Sequence, residues 1–199
     1  MNATIDRQAV SYETRLAARE LVEIDLVVIH CTELPDMAMA RHYAEQIQYP
    51  GNQTGACGHY YIDQAGALTQ YVAPSRVAHH CVGFNERSLG IELDNLGRYP
   101  DWLFARCQSM TQPYPALQID ALLLLLTHLQ TLLPALRWIA GHEELDTRWL
   151  PATDNPLVEV RRKRDPGPLF PWQRIEDAFV GRLQHAVPPP RVAPNCLEV

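Results

Sequence analysis

The sequence predicts a single α/β domain in which helices flank one central mixed β-sheet. Three observations predict it. A short β-branched segment at 24–30 and a strand of alternating pattern at 88–93 are interleaved with stretches of helical periodicity at 36–47 and 116–133, the pattern that layers helices onto a sheet. A chain of 199 residues is long enough for one cored domain and short for two. Its composition, 47% hydrophobic and 20% charged, is that of a globular protein and excludes disordered, collagenous and coiled-coil chains.

Residues 24–30 (I-D-L-V-V-I-H) are apolar on both faces, as a central strand between two layers must be, so His30 falls at a strand end. Met37, Ala40, Tyr43, Ala44 and Ile47 recur at helical spacing after Pro35-Asp36, which predicts a helix over 36–47. Strand patterns at 59–62 and 68–72, joined by Asp63-Gln64-Ala65-Gly66, read as a β-hairpin. In 88–93 (S-L-G-I-E-L), Leu89, Ile91 and Leu93 point one way, leaving Gly90 and Glu92 on the other face. Residues 94–114 lack a period and are punctuated by Pro100 and Pro113, so they form a long loop of the kind that borders a site. The leucine-rich run 116–133, closed by Pro134, is a buried helix. Residues 136–140 are a short strand followed by Gly141-His142. Trp172, Ile175, Phe179, Leu183 and Ala186 predict a terminal amphipathic helix over 170–186. The domain thus runs over 24–186, with an N-terminal extension at 1–23 packing on it and a proline-rich tail at 187–199.

A net charge of −6 repels polyanions and argues against nucleic-acid partners. The longest apolar run, 121–126, is far below the roughly 20 residues that span a bilayer. Residues 1–20 are polar and lack an apolar signal core, so a cytoplasmic protein is expected. Five cysteines without a C-x-x-C pair suit reduced thiols rather than a disulfide or structural zinc framework.

Of eight histidines, His42, His128 and His185 fall within predicted helices without acidic or histidine neighbours and are read as structural. His30 and His142 each end an apolar strand, where α/β sheets gather ligands. Asp165 lies in the stiffened segment K-R-D-P-G-P. Two imidazoles and one carboxylate would make a catalytic zinc set with a fourth position open, although an Asp-Pro turn explains Asp165 equally well. No H-E-x-x-H is present, which disfavours an unrelated metallopeptidase.

Six segments occur in order: V-V-I-H-C-T at 27–32, H-Y-Y-I at 59–62, L-T-Q-Y-V at 68–72, S-L-G-I-E-L at 88–93, G-H-E at 141–143 and K-R-D-P-G-P at 163–168. Together they resemble the zinc-dependent N-acetylmuramoyl-L-alanine amidases of the AmpD type, relatives of phage amidase lysozymes and animal peptidoglycan-recognition proteins. The resemblance spans residues 24–176. It implies one zinc ion held by His30, His142 and Asp165, with Asp165 where some relatives use cysteine. Glu92 matches the acidic residue that handles protons and orients the attacking water, and Lys163 the basic residue that stabilises the oxyanion. Phage relatives place a tyrosine just before the residue matched by His59; here it is Gly58, which shifts weight onto Glu92. His80 resembles a substrate-cleft histidine, with Asn85 nearby as a ligand contact.

Lys163 also belongs to the basic run Arg161, Arg162, Lys163, Arg164, which read plainly is a solvated face. Arg161 and Arg164 are candidates for pairing with muropeptide carboxylates. The partners implied are peptidoglycan fragments, bound by a monomer that cleaves between N-acetylmuramic acid and L-alanine in cell-wall recycling, with a periplasmic or phage-lytic role as another setting. The alternative from a different class is a non-catalytic muropeptide-binding module of the same fold.

Overall fold

The computed structural model describes residues 4–190. In chain order the elements are β1 (Ile5–Arg7), β2 (Leu26–Cys31), α1 (Met37–Ala44), β3 (Tyr60–Ile62), β4 (Leu68–Gln70), β5 (Ser88–Leu93), α2 (Ala116–Leu132), β6 (Trp138–Gly141), α3 (His142–Leu145), β7 (Trp149–Pro151), β8 (Glu159–Arg161), α4 (Trp172–Ala178) and β9 (Gln184–His185). Seven strands form one mixed sheet in the order β1-β4-β3-β5-β2-β6-β9, and β7 and β8 make a separate antiparallel pair. Among the described residues only β3 and β4 pair antiparallel within the large sheet. They are the predicted hairpin, its turn closed by Ala67 N–H donating to Asp63 Oδ1 at 2.7 Å, with Gly66 at φ +87°.

Strand β2 is buried along its whole length between β5 and β6, as its two apolar faces require. Alternation then sorts the sheet into two faces. Val27, Ile29, Leu89, Ile91, Leu93, Tyr60, Ile62 and Ile139 pack against Ile119, Leu122, Leu125, Leu126 and Leu129 of α2, and against Ile175 and Phe179, in the principal core. Each fully buried leucine there contributes on the order of 1.5–3 kcal/mol. The opposite face is thinner. Leu26, Val28, Ala140 and Cys81 form one small cluster, and Tyr12, Leu16, Ala40, Ala44, Cys57 and Tyr61 form another beneath α1. This thinner face leaves room for a cleft.

Helix α1 is capped by Asp36, whose carboxylate accepts from Met39 N–H at 2.7 Å, and it ends three residues short of the predicted 47. The terminal helix ends at Ala178 rather than running to 186. Gly181 at φ +70° turns the chain back, and Gln184–His185 pairs parallel with β6 as an edge strand. Phe179 and Leu183 still reach the core, so the apolar spacing was real while the helix was not continuous. The N-terminal residues contribute β1 to the opposite edge and Tyr12 and Leu16 to the second cluster. In the predicted tail, Pro189 O accepts from Arg87 at 2.7 Å; 191–199 lie outside the described residues. Cys31, Cys57, Cys81 and Cys107 are free thiols, and Cys196 lies outside the described residues. Among the described residues no helix is long and apolar enough to cross a membrane.

Candidate active site

The strand registers align the site across four strands. Tyr61 of β3 faces Glu92 of β5, Glu92 faces His30 of β2, and the pair Ile29–Gly141 is followed directly by His30 and His142. These residues therefore share the thinner face. Asp165 arrives from beyond β8, and its Oδ2 lies 3.0 Å from Nδ1 of both His30 and His142. All three side chains are buried, and their ligand-type atoms lie within 4.8 Å of one another. A cavity of about 440 Å³ opens over them, lined also by Glu92, Lys163, His80, Tyr61, Tyr43 and Trp102.

Hydrogen bonding fixes how His30 presents itself. Its Nε2 lies 3.0 Å from His80 Nδ1, His80 Nε2 lies 3.2 Å from Ser88 Oγ, and that hydroxyl donates to Phe84 O at 2.7 Å. Because the chain ends on a carbonyl that can only accept, each member donates to the next, and neutral His30 carries its proton on Nε2. Its Nδ1 lone pair then faces the Asp165 carboxylate with no proton between them. Buried lone pairs converging in this way suit a cation, and Asp165 Oδ1 and His142 Nε2 have no hydrogen-bond partner among the described residues. Two imidazole nitrogens and one carboxylate oxygen thus fit a divalent metal ion with a position left for water or substrate.

The electrostatics agree. Burial, then the neighbouring His142, lowers the His30 pKa to about 4, so the ring is neutral at physiological pH. Burial alone would raise Asp165, but the imidazoles of His142 and His30 that face it and the positive charge of Lys163 hold it well below the usual carboxylate range. Glu92 goes the other way. Burial, reinforced by the negative Asp165, pushes its carboxyl well above the usual range, and its Oε1 lies 3.9 Å from His30 Nδ1. A carboxyl shifted in this direction binds a proton more readily than an exposed one, which suits a group that takes up and returns a proton.

Gly58 gives Glu92 its space. A Cβ there would lie 2.8 Å from Glu92 Cγ. Gly90 does the same for His80, whose ring would meet a Cβ at 2.7 Å. Lys163 is half-buried on the cavity wall and makes no hydrogen bond or ion pair among the described residues, which leaves its three donors uncommitted.

The proposed substrate contacts divide. His80 lines the cavity, but Asn85 does not. Asn85 Oδ1 accepts from His80 N–H at 3.0 Å and Cys81 N–H at 2.7 Å, so it shapes the loop that carries His80. Arg161 and Arg164 also lie off the cavity wall. Arg161 donates to Glu143 O and stands over the Trp149 ring at 5.8 Å, while Arg164 donates to Gln108 O at 2.8 Å. Arg162 lines the cavity instead, paired with Asp146. Outside the cleft, His185 has the acidic partners that the sequence did not show, Glu176 at 2.7 Å and Glu144 at 3.1 Å, and it stacks on Trp172.

Two buried wall residues, Glu33 and Arg98, carried no sequence signal. Both sit in loops and meet across 65 residues of chain, at 2.7 Å between Arg98 Nε and Glu33 Oε1.

The family model of N-acetylmuramoyl-L-alanine amidase matches residues 20–168, and the chain belongs to that family. Comparison with curated protein sequences finds no match. Among solved structures, the N-acetylmuramoyl-L-alanine amidase LysC from Clostridium intestinale URNW superposes with a TM-score of 0.63 at 18% identity, over 88% of this chain and 97% of that one. The amidase AmiD from E. coli, solved in complex with anhydro-N-acetylmuramic acid-L-Ala-D-gamma-Glu-L-Lys, gives 0.59 at 22% identity, over 86% of this chain and 60% of that one. Drosophila PGRP-LB gives 0.59 at 16% identity over 92% and 98%. At such identities the likeness shows the shared fold.

Proposed function

We propose that the chain is a zinc-dependent amidase that hydrolyses the bond between the lactyl group of N-acetylmuramic acid and L-alanine, in peptidoglycan or its anhydro-muropeptide fragments. Its proposed role is cell-wall recycling in the cytoplasm. The observation that carries the reading is the convergence of His30 Nδ1 and His142 Nδ1 on Asp165 Oδ2 at 3.0 Å, beneath a cavity that Glu92 and Lys163 also line. Family membership supports the substrate class.

His30, His142 and Asp165 would hold the ion. Bound zinc would supply a Lewis acid for a poorly electrophilic amide and lower the pKa of a water to about 7. Glu92 takes the proton of the attacking water at its carboxylate and returns it to the departing amine, which must be protonated to leave. Lys163 turns its ammonium toward the oxygen that becomes negative as the carbon turns tetrahedral; this charge exists only near the transition state, so the contact accelerates the step. His80, through the His30 Nε2 contact, holds the ligand ring in the tautomer the site needs.

Purified protein, with and without a chelator, is incubated with a soluble anhydro-muropeptide and with intact sacculi, and peptide release is followed. Release from the soluble fragment that stops on zinc removal supports the reading. Binding of the fragment without release from either substrate replaces it with the non-catalytic module.

A further inference from the structure

The Arg98 guanidinium has five N–H donors, and all of them are spent inside the protein. Its Nε donates to Glu33 Oε1 at 2.7 Å and its Nη2 to Glu33 Oε2 at 2.9 Å. The remaining donors reach Arg161 O at 2.9 Å, Arg162 O at 3.3 Å and the Gln108 side chain at 3.2 Å. The side chain is 1% exposed and that of Glu33 8%. Burial works against the charge, but the hydrogen bonds and charge of Glu33 outweigh it and raise the Arg98 pKa.

The positions of the partners matter. Glu33 follows His30 by three residues, while Arg161 and Arg162 directly precede Lys163 and stand four and three residues before Asp165. Glu33 is held in a left-handed backbone at φ +49°, its carbonyl accepting the Trp102 indole N–H at 2.9 Å. Gly97, at φ +53°, admits the pair, since a Cβ there would lie 2.5 Å from Glu33 Cγ. One guanidinium thus ties the exit of β2, the loop at 94–114 and the strand leading to Lys163.

We propose that Arg98, clamped by Glu33, is a positioning residue that sets the segment 161–165 against β2, and so fixes the distance from Asp165 to His30 and the aim of Lys163. This rests on the amidase reading for its catalytic consequence, though not for its structural one. Lysine cannot replace arginine here, because an ammonium cannot engage both carboxylate oxygens and both carbonyls at once.

The test compares Arg98→Lys with wild type and with Arg87→Lys, which alters the Arg87–Asp25 pair away from the cavity. Three quantities are read: amide exchange of residues 159–165 in metal-free protein, zinc affinity by chelator competition, and kcat and KM on a soluble anhydro-muropeptide. Arg98→Lys is expected to exchange faster in that segment, to bind zinc about tenfold or more weakly, and to lose about 10- to 100-fold in kcat with KM nearly unchanged. Arg87→Lys, whatever its loss in Tm, leaves all three near wild type. Should Arg98→Lys not fold, Glu33→Gln, which keeps the side-chain shape while weakening the clamp, is expected to change the same quantities in the same directions. An Arg98→Lys protein, or in its absence Glu33→Gln, that matches Arg87→Lys in exchange and zinc affinity overturns the clamp. A wild type that binds zinc but releases no peptide overturns the amidase reading instead, and exchange and zinc affinity still decide the clamp.

Discussion

His30 Nδ1 and Asp165 Oδ2 lie 3.0 Å apart, although 135 residues separate them in the chain. The sheet makes this pairing. It places His30 at the end of its most buried strand, and β6 brings His142 to the adjacent position. Removing His30 leaves one imidazole and one carboxylate, too few to close a three-ligand site. Loss of an outer-shell partner already costs 10- to 100-fold in metal affinity, so loss of a ligand costs more than about 100-fold. His30→Ala is therefore expected to be purified folded by circular dichroism, nearly zinc-free by elemental analysis, and without measurable turnover.

Glu92 is expected to act on protons and not to hold the metal. Glu92→Gln keeps zinc at the wild-type ratio and lowers kcat by about 10²- to 10⁴-fold. Gly58→Ala reaches the same residue indirectly, because its Cβ would lie 2.8 Å from Glu92 Cγ and must displace it. A loss of about tenfold or more in kcat is expected there, with zinc retained. Steady-state kinetics beside metal analysis of both variants checks this.

The basic run offers an internal control for Lys163. Lys163 lines the cavity, whereas Arg161 and Arg164 lie off its wall and donate to Glu143 O and Gln108 O. Lys163→Ala should lose about 10²- to 10³-fold in kcat, the range for a missing oxyanion donor, with little change in KM. Arg164→Ala should stay within a few-fold of wild type. Equal losses in the two variants would mean the run acts as a diffuse charged surface.

Much of this was legible in the sequence because burial is periodic. The continuous apolar run of β2, the isolation of Glu92 on β5 and the leucines of α2 each state which face is covered. What stayed hidden is held by backbone pairing or by contacts between loops. Strands β1 and β9 are three and two residues long and lie at sheet edges, too short to show alternation. The spacing of Ile175, Phe179 and Leu183 reads as one helix, yet Gly181 breaks it while the same side chains still reach the core. Glu33 and Arg98 have no period at all, and only the folded loops bring them together. In the basic run, composition alone could not separate Lys163 and Arg162, which face the cavity, from Arg161 and Arg164, which do not.

His185 gives the protein a pH-dependent fastening at the sheet edge. Its hydrogen bond to Glu144, opposed by burial and supported by Glu176, raises its pKa above the usual 6.5. A histidine raised in the folded state contributes stability that is fully present below the unfolded value and is lost as pH rises through the folded one. The Tm difference between wild type and His185→Gln is therefore expected to be larger at about pH 6 than at pH 9. Thermal melts of the metal-free proteins across that interval check the sign, and a gap that widens with rising pH contradicts it.

The central claim, that His30, His142 and Asp165 hold one zinc ion on which amide hydrolysis depends, is tested most directly by titrating zinc into metal-depleted wild-type protein while following L-alanyl peptide release from an anhydro-muropeptide. The account predicts no release at zero metal, a linear rise, and a break at one equivalent per chain. Full turnover in protein verified to be zinc-free would contradict it.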